Sequence, residues 1–149
     1  FDSQDAMKAA FDNDELNQDV VVVVRFQGPA TNGMPELHKL TPYLGLLQDR
    51  GHKVALVTDG RMSGASGKVL AAIHVSPEAR KGGQLAKLKD GDMVEIDSHS
   101  GFLTAHVDAS ELDKRTPAQA PADERTLGRG MFAKLRALAS NAEDGASII

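Results

Sequence analysis

The densest chemistry in the sequence lies between positions 59 and 68. Asp59, Arg61, Ser63 and Ser66 place four polar groups within eight residues, and Gly60, Gly64 and Gly67 interleave them. Glycine lets backbone approach a ligand closely and reach positive φ. A strand end followed by such a loop is a common place for a ligand site. These residue types suit proton transfer and anion binding. A serine acting as base or nucleophile needs an activating neighbour, and no histidine is adjacent to Ser63 in the chain. Two plainer readings therefore stay open: Ser63 satisfies turn backbone, and Asp59 pairs with Arg61 across the turn. Gly67-Lys68 hints at a nucleotide phosphate loop. Met62 stands where that pattern needs its first glycine, and Val69 where it needs a magnesium-binding hydroxyl, so the loop lacks the mechanical parts.

A second loop, Gly28 to Glu36, is rich in glycine and proline and places one carboxylate, Glu36, before a predicted helix. A carboxylate there serves either the helix dipole or a hard metal ion. The histidines at 38, 52, 74, 99 and 106 form no HExxH pattern and no close ligand pair, so surface or packing roles are expected of them.

The elements that must position these loops follow from pattern. Asp2-Ser3 caps a helix over 4–13 with Ala6, Met7, Ala10 and Phe11 on one face. Val20 to Phe26 is a β-branched run suited to a strand buried on both faces. A helix over 36–50 carries Leu40, Leu44 and Leu47, with Pro42 near its first turn and Gly51 as its stop. Strands are expected at 53–58 and 69–75. Ser76-Pro77 reads as a helix start. Short strands at 85–88, 93–97 and 102–107, separated by Asp90-Gly91 and Ser100-Gly101, suggest a small antiparallel section or barrel. A short helix starts at Ser110. Residues 1–115 are expected to form the domain, and 116–149 a linker and a C-terminal helix packing on that same domain. That helix, from about 125 to 140, has Leu127, Met131, Leu135 and Leu138 as its apolar stripe.

The 149 residues suit one compact domain. A net charge of −4, with no Trp and one Tyr, gives no basic or stacking footprint for nucleic acid. The longest apolar run, Val20 to Val24, falls far short of the ~20 residues that span a bilayer. The absence of cysteine excludes disulfides, thiol catalysis and cysteine-ligated clusters within the chain. No secretory signal is visible, and a cytoplasmic location is expected. The first residue is Phe1, so a processed or excised fragment is the natural reading.

Four blocks in order carry a resemblance: Val24-Arg25-Phe26-Gln27-Gly28-Pro29, Asn32-Gly33-Met34-Pro35-Glu36, Val54 to Gly64, and His74-Val75-Ser76-Pro77-Glu78-Ala79. Together they resemble the dihydroxyacid dehydratase and phosphogluconate dehydratase family. Arg25 to Pro29, Leu37 to Pro42, Met62 and the terminal Ala142 to Ser147 resemble its 6-phosphogluconate branch. The resemblance implies an α+β fold: a β-rich, barrel-like swivelling domain (β/β/α) with flanking helices, closing over a larger N-terminal domain absent here. It implies loss of water from 6-phosphogluconate, a homodimer or larger assembly, magnesium, and an iron–sulfur cluster of the 4Fe-4S type held by the N-terminal domain. The family's base falls on Ser63, with Arg61 as electrostatic helper. Its magnesium-binding glutamate falls on Glu36. Ser66, Gly67 and Lys68 are the expected substrate contacts. A sugar-acid dehydratase for an unphosphorylated substrate, and a non-catalytic binding module of the same fold, are the alternative expectations.

Overall fold

The computed structural model describes residues 1–63, 67–122 and 127–149. Three parallel strands form its centre: β1 (Val20–Val24), β2 (Val54–Thr58) and β3 (Leu70–Ala72), in the order β1-β2-β3. β1 and β2 run in register from Val20 opposite Val54 to Val24 opposite Thr58. Successive side chains on a strand point to opposite faces, so the valine run divides itself. Val22 and Val24 join Leu56 in one core with Met7, Leu40, Leu44 and Leu47. Val21 and Val23 face a second core around Phe26, Val57, Leu85 and Ala86. β2, in the middle, is buried along its whole length.

The first core is covered by two helices. In α1 (Gln4–Asp12), Ser3 Oγ accepts the Ala6 N–H as N-cap. Met7 and Ala10 are buried as expected, but Ala6 is exposed and Gln4 takes the inner position. A 3₁₀ turn at His38–Leu40 leads into α3 (Thr41–Asp49), which buries Leu44 and Leu47 and stops before Gly51 at φ 99°.

Several sequence expectations are corrected. The strand from Val20 ends at Val24, because Phe26 turns to φ 62°. Pro29–Asn32 is one helical turn, α2, closed by Gly33 at φ 72°. The expected strand at 69–75 shrinks to β3. Ser76-Pro77 is a cis peptide, not a helix cap, and Glu78 precedes a 3₁₀ turn at Ala79–Lys81. Residues 84–87 are also a 3₁₀ turn rather than a strand. There the Arg25 guanidinium donates to the carbonyls of Leu85, Ala86 and Leu88 at 3.1–3.3 Å.

β4 (Val94–Asp97) and β5 (Phe102–Ala105) form the expected antiparallel hairpin. The fold is mixed helix and sheet, and among the described residues the two sheets remain separate, with no closed barrel. α4 (Ala109–Lys114), capped by Asp108, and an extended stretch follow. In that stretch the Ala118 N–H reaches the Ala86 carbonyl at 2.8 Å. α5 (Leu127–Leu138) lies against α2. Its expected start at Arg125 lies outside the described residues. Its apolar stripe does not face the core: Met131, Leu135 and Leu138 are exposed.

Candidate functional site

In a parallel sheet the loops at the carboxyl ends of the strands are the usual ligand positions. Here two such loops meet. The one after β1 carries Glu36, and the one after β2 carries Arg61 and Ser63. A single parallel bridge, Glu36 with Arg61, stitches them together, and the Leu37 N–H donates to the Arg61 carbonyl at 3.1 Å.

The β2 loop is held from below. Asp59 is fully buried. Its carboxylate accepts the backbone N–H of Phe26 (3.2 Å), Gln27 (2.8 Å) and Ala79 (2.9 Å). It therefore ties the end of β1 to the turn after Pro77, and it does not pair with Arg61. Burial pushes its carboxyl up, against the pull of the Ala79 and Gln27 N–H groups, and the nearby Glu78 adds to the rise. Glu78 is likewise buried and accepts from the Ala30 and Thr31 N–H groups and the Thr31 hydroxyl, at 2.7–3.0 Å.

Beyond Gly60 the side chains alternate. Met62 turns inward against the first core, with the Thr41 hydroxyl 3.5 Å from its sulfur. Arg61 and Ser63 are exposed, and both meet Glu36, Arg61 through its guanidinium and Ser63 through its backbone N–H. Arg61 Nη1 donates to Glu36 Oε2 at 2.8 Å, and its Nε donates to the Met34 carbonyl at 2.8 Å. The Ser63 N–H donates to Glu36 Oε1 at 2.7 Å, and the His38 N–H reaches the same oxygen at 2.9 Å. The Ser63 N–H, more than any other contact, holds the Glu36 carboxyl below the usual range; His38 and Arg61 assist. Among the described residues nothing hydrogen-bonds Ser63 Oγ, while its carbonyl lies 3.3 Å from His38 Nδ1. His38 is exposed, in line with the surface or packing role expected of it, and its contacts to Glu36 and Ser63 follow from the pairing of the two loops.

The remaining expected site residues are dispersed. Gly67 is exposed at φ 57°. Lys68 reaches α3, where its Nζ pairs with Asp49 at 2.8 Å. Ser66 lies outside the described residues.

Comparison with known proteins gives the family. A family model described as the dihydroxy-acid/6-phosphogluconate dehydratase C-terminal domain matches residues 1–146. The chain belongs to this family. It is 59% identical to a phosphogluconate dehydratase of Zymomonas mobilis over 149 residues, covering all of this chain and 24% of that protein. A phosphogluconate dehydratase of Pseudomonas aeruginosa is 60% identical over 147 residues, covering 98% of this chain and 24% of its own length. One from Escherichia coli K12 is 54% identical over 151 residues, covering 100% and 25%. The family domain thus spans about a quarter of the length of the curated relatives it matches.

The residues present fit the metal implied by the resemblance only in part. Among the described residues no group of three or more His, Cys, Asp or Glu side chains gathers around a cation position. Glu36 Oε1 already holds two N–H groups, whereas Oε2 holds only Arg61. That oxygen suits one ligand of a hard divalent ion, and the others must come from elsewhere. For an iron–sulfur cluster the chain has no cysteine and does not fit. Among the described residues, no helix is long and apolar enough to cross a membrane.

Proposed function

We propose that the chain is the C-terminal quarter of a phosphogluconate dehydratase and that, with the rest of that protein, it removes water from 6-phosphogluconate to give 2-dehydro-3-deoxy-6-phosphogluconate. Supporting this are the match over residues 1–146 and relatives of that name at 54–60% identity. One observation carries the residue assignment: Glu36 Oε1 fixes the Ser63 N–H at 2.7 Å while Arg61 sits on the other carboxylate oxygen.

In the proposed reaction the C2 proton moves to a base and the C3 hydroxyl leaves. The resulting enol ketonises at C2 and takes a proton at C3. Ser63 Oγ is the base. A free serine is far too weak for this, so its alkoxide would need the positive charge of the metal together with that of Arg61, whose guanidinium is here paired with Glu36. Glu36 orients Ser63 through its backbone, and His38 flanks it. Glu36 Oε2 would be the chain's ligand to magnesium, which would supply positive charge at the substrate carboxylate. Gly67, Lys68 and Ser66 are proposed contacts to the substrate's anionic groups, with Lys68 leaving Asp49 for them. No step is derived through a cluster, and departure of the C3 hydroxyl is assigned to groups outside residues 1–149. The domain is proposed to swivel over the remainder of a cytoplasmic, homodimeric enzyme.

The test is Ser63→Ala in the full-length protein. Exchange of the C2 proton with solvent should fall by roughly 10²–10⁴, the usual worth of a positioned base, with the circular dichroism spectrum unchanged. Near-normal exchange would remove Ser63 from the role.

A further inference from the structure

α5 is amphipathic the wrong way round for a helix packed only on this domain. At about 100° per residue, Arg129, Ala133 and Arg136 share one side, and Met131, Leu135 and Leu138 share the opposite one. The arginine side faces inward. Arg129 Nη2 donates to Asn32 Oδ1, and Arg136 Cδ lies 3.2 Å from where a Cβ on Gly33 would stand. The apolar side faces out, with Met131 71%, Leu135 44% and Leu138 69% exposed, and Phe132 beside them at 49%. A contiguous apolar face of this kind marks an interaction surface.

We propose that this face seats the polypeptide that precedes residue 1 in the full-length dehydratase. The inference rests on the function proposed above. Two observations select that occupant over a second copy of this domain. The matched relatives are about four times as long as the chain, and the matching model is that of a C-terminal domain, so a large body lies upstream. And α5 stands on α2 and Gly33, at the root of the loop that carries Glu36. Under the function proposed above, Glu36 would be one ligand of a metal that needs others, and the body completing that site would come to this loop, beside α5.

The experiment uses the full-length protein with a photoreactive benzophenone amino acid at position 131 and, separately, at 138. Crosslinks are mapped by mass spectrometry, and dehydration of 6-phosphogluconate is assayed on the same samples before irradiation. Crosslinks to peptides upstream of residue 1 are expected from both positions. Crosslinks confined to peptides within residues 1–149, or none at all, overturn the proposal; the first would mean self-pairing and the second a solvent-facing helix. Active protein with either of those patterns leaves the functional reading intact. Protein without dehydratase activity at either position or in its unsubstituted form sinks that reading whatever the crosslinks show.

Discussion

At the scale of single residues, two carboxylates do opposite work, and their titration distinguishes them. Glu36 is held ionised by N–H donors, chiefly that of Ser63. Its folded value is depressed, so its contribution is present above the unfolded value and is lost as pH falls through the folded one. The Ser63 amide resonance should therefore shift with a midpoint below the ordinary glutamate range. NMR of the chain reads this directly, and Glu36→Gln should abolish the shift. A midpoint in the ordinary range would mean the Ser63 contact is absent in solution. Asp59 has the reverse sign. Burial raises its value, so its contribution is present below the unfolded value and is lost as pH rises through the folded one. Its oxygens still satisfy three buried N–H groups. Asp59→Asn keeps one acceptor for Gln27 and turns an NH₂ towards Phe26 and Ala79. Two buried donors left unpaired at ~1–3 kcal/mol each should cost about 2–4 kcal/mol in urea denaturation of the chain, despite the removal of a buried charge. An unchanged midpoint would show that the pocket admits water.

At the scale of elements, the site depends on how closely β1 and β2 end together. A Cβ on Gly60 would stand 2.6 Å from Gln27 Cβ and 3.1 Å from the Gln27 carbonyl oxygen. Gly60→Ala should cost about 1–3 kcal/mol in overpacking and displace the Ser63 amide resonance. A variant with wild-type stability and spectrum would show that the strand ends can separate freely. This meeting of strands was only partly legible in the sequence. Leu40, Leu44 and Leu47 at helical spacing, the Ser3 cap, the apolar run at 54–58 and the hairpin turns are local signals, and local chemistry sustains them. The two-residue spacing of Arg61 and Ser63 also announces a shared side. What decides the rest is distant in sequence. Arg25 reaches the carbonyls of Leu85 and Ala86, some 60 residues away, at the 3₁₀ turn over 84–87. Asp59 reaches back to Gln27 rather than across to Arg61. Glu36 meets Ser63 only because parallel pairing aligns the two strand ends. No pattern within a short window encodes such pairings, and the outward stripe of α5 misled for the same reason: periodicity marks an apolar face without saying what covers it.

At the scale of the whole molecule, the function proposed above makes the domain half of a site. At the edge of a parallel sheet the Glu36 carboxylate meets the Arg61 guanidinium and the Ser63 N–H, with no group of three or more His, Cys, Asp or Glu side chains gathered there among the described residues. A magnesium ion needs near-octahedral coordination by about six oxygens, and here it would find one of them, already shared with Arg61. Binding to the 149-residue chain should therefore be weak, with a Kd on the order of 10⁻³ M or above, as for sites with few protein ligands. Competition with Arg61 weakens it further. The same chain should leave 6-phosphogluconate unchanged, because one base without a settled metal provides neither the charge to acidify the C2 proton nor a route for the C3 hydroxyl. Calorimetric titration of the chain and of the full-length protein with magnesium checks the first point, and a product assay on both checks the second. Tight magnesium binding by the chain alone would mean that residues 1–149 hold ligands beyond Glu36. Turnover by the chain alone would mean that the upstream body is dispensable, and the divided site would have to be abandoned.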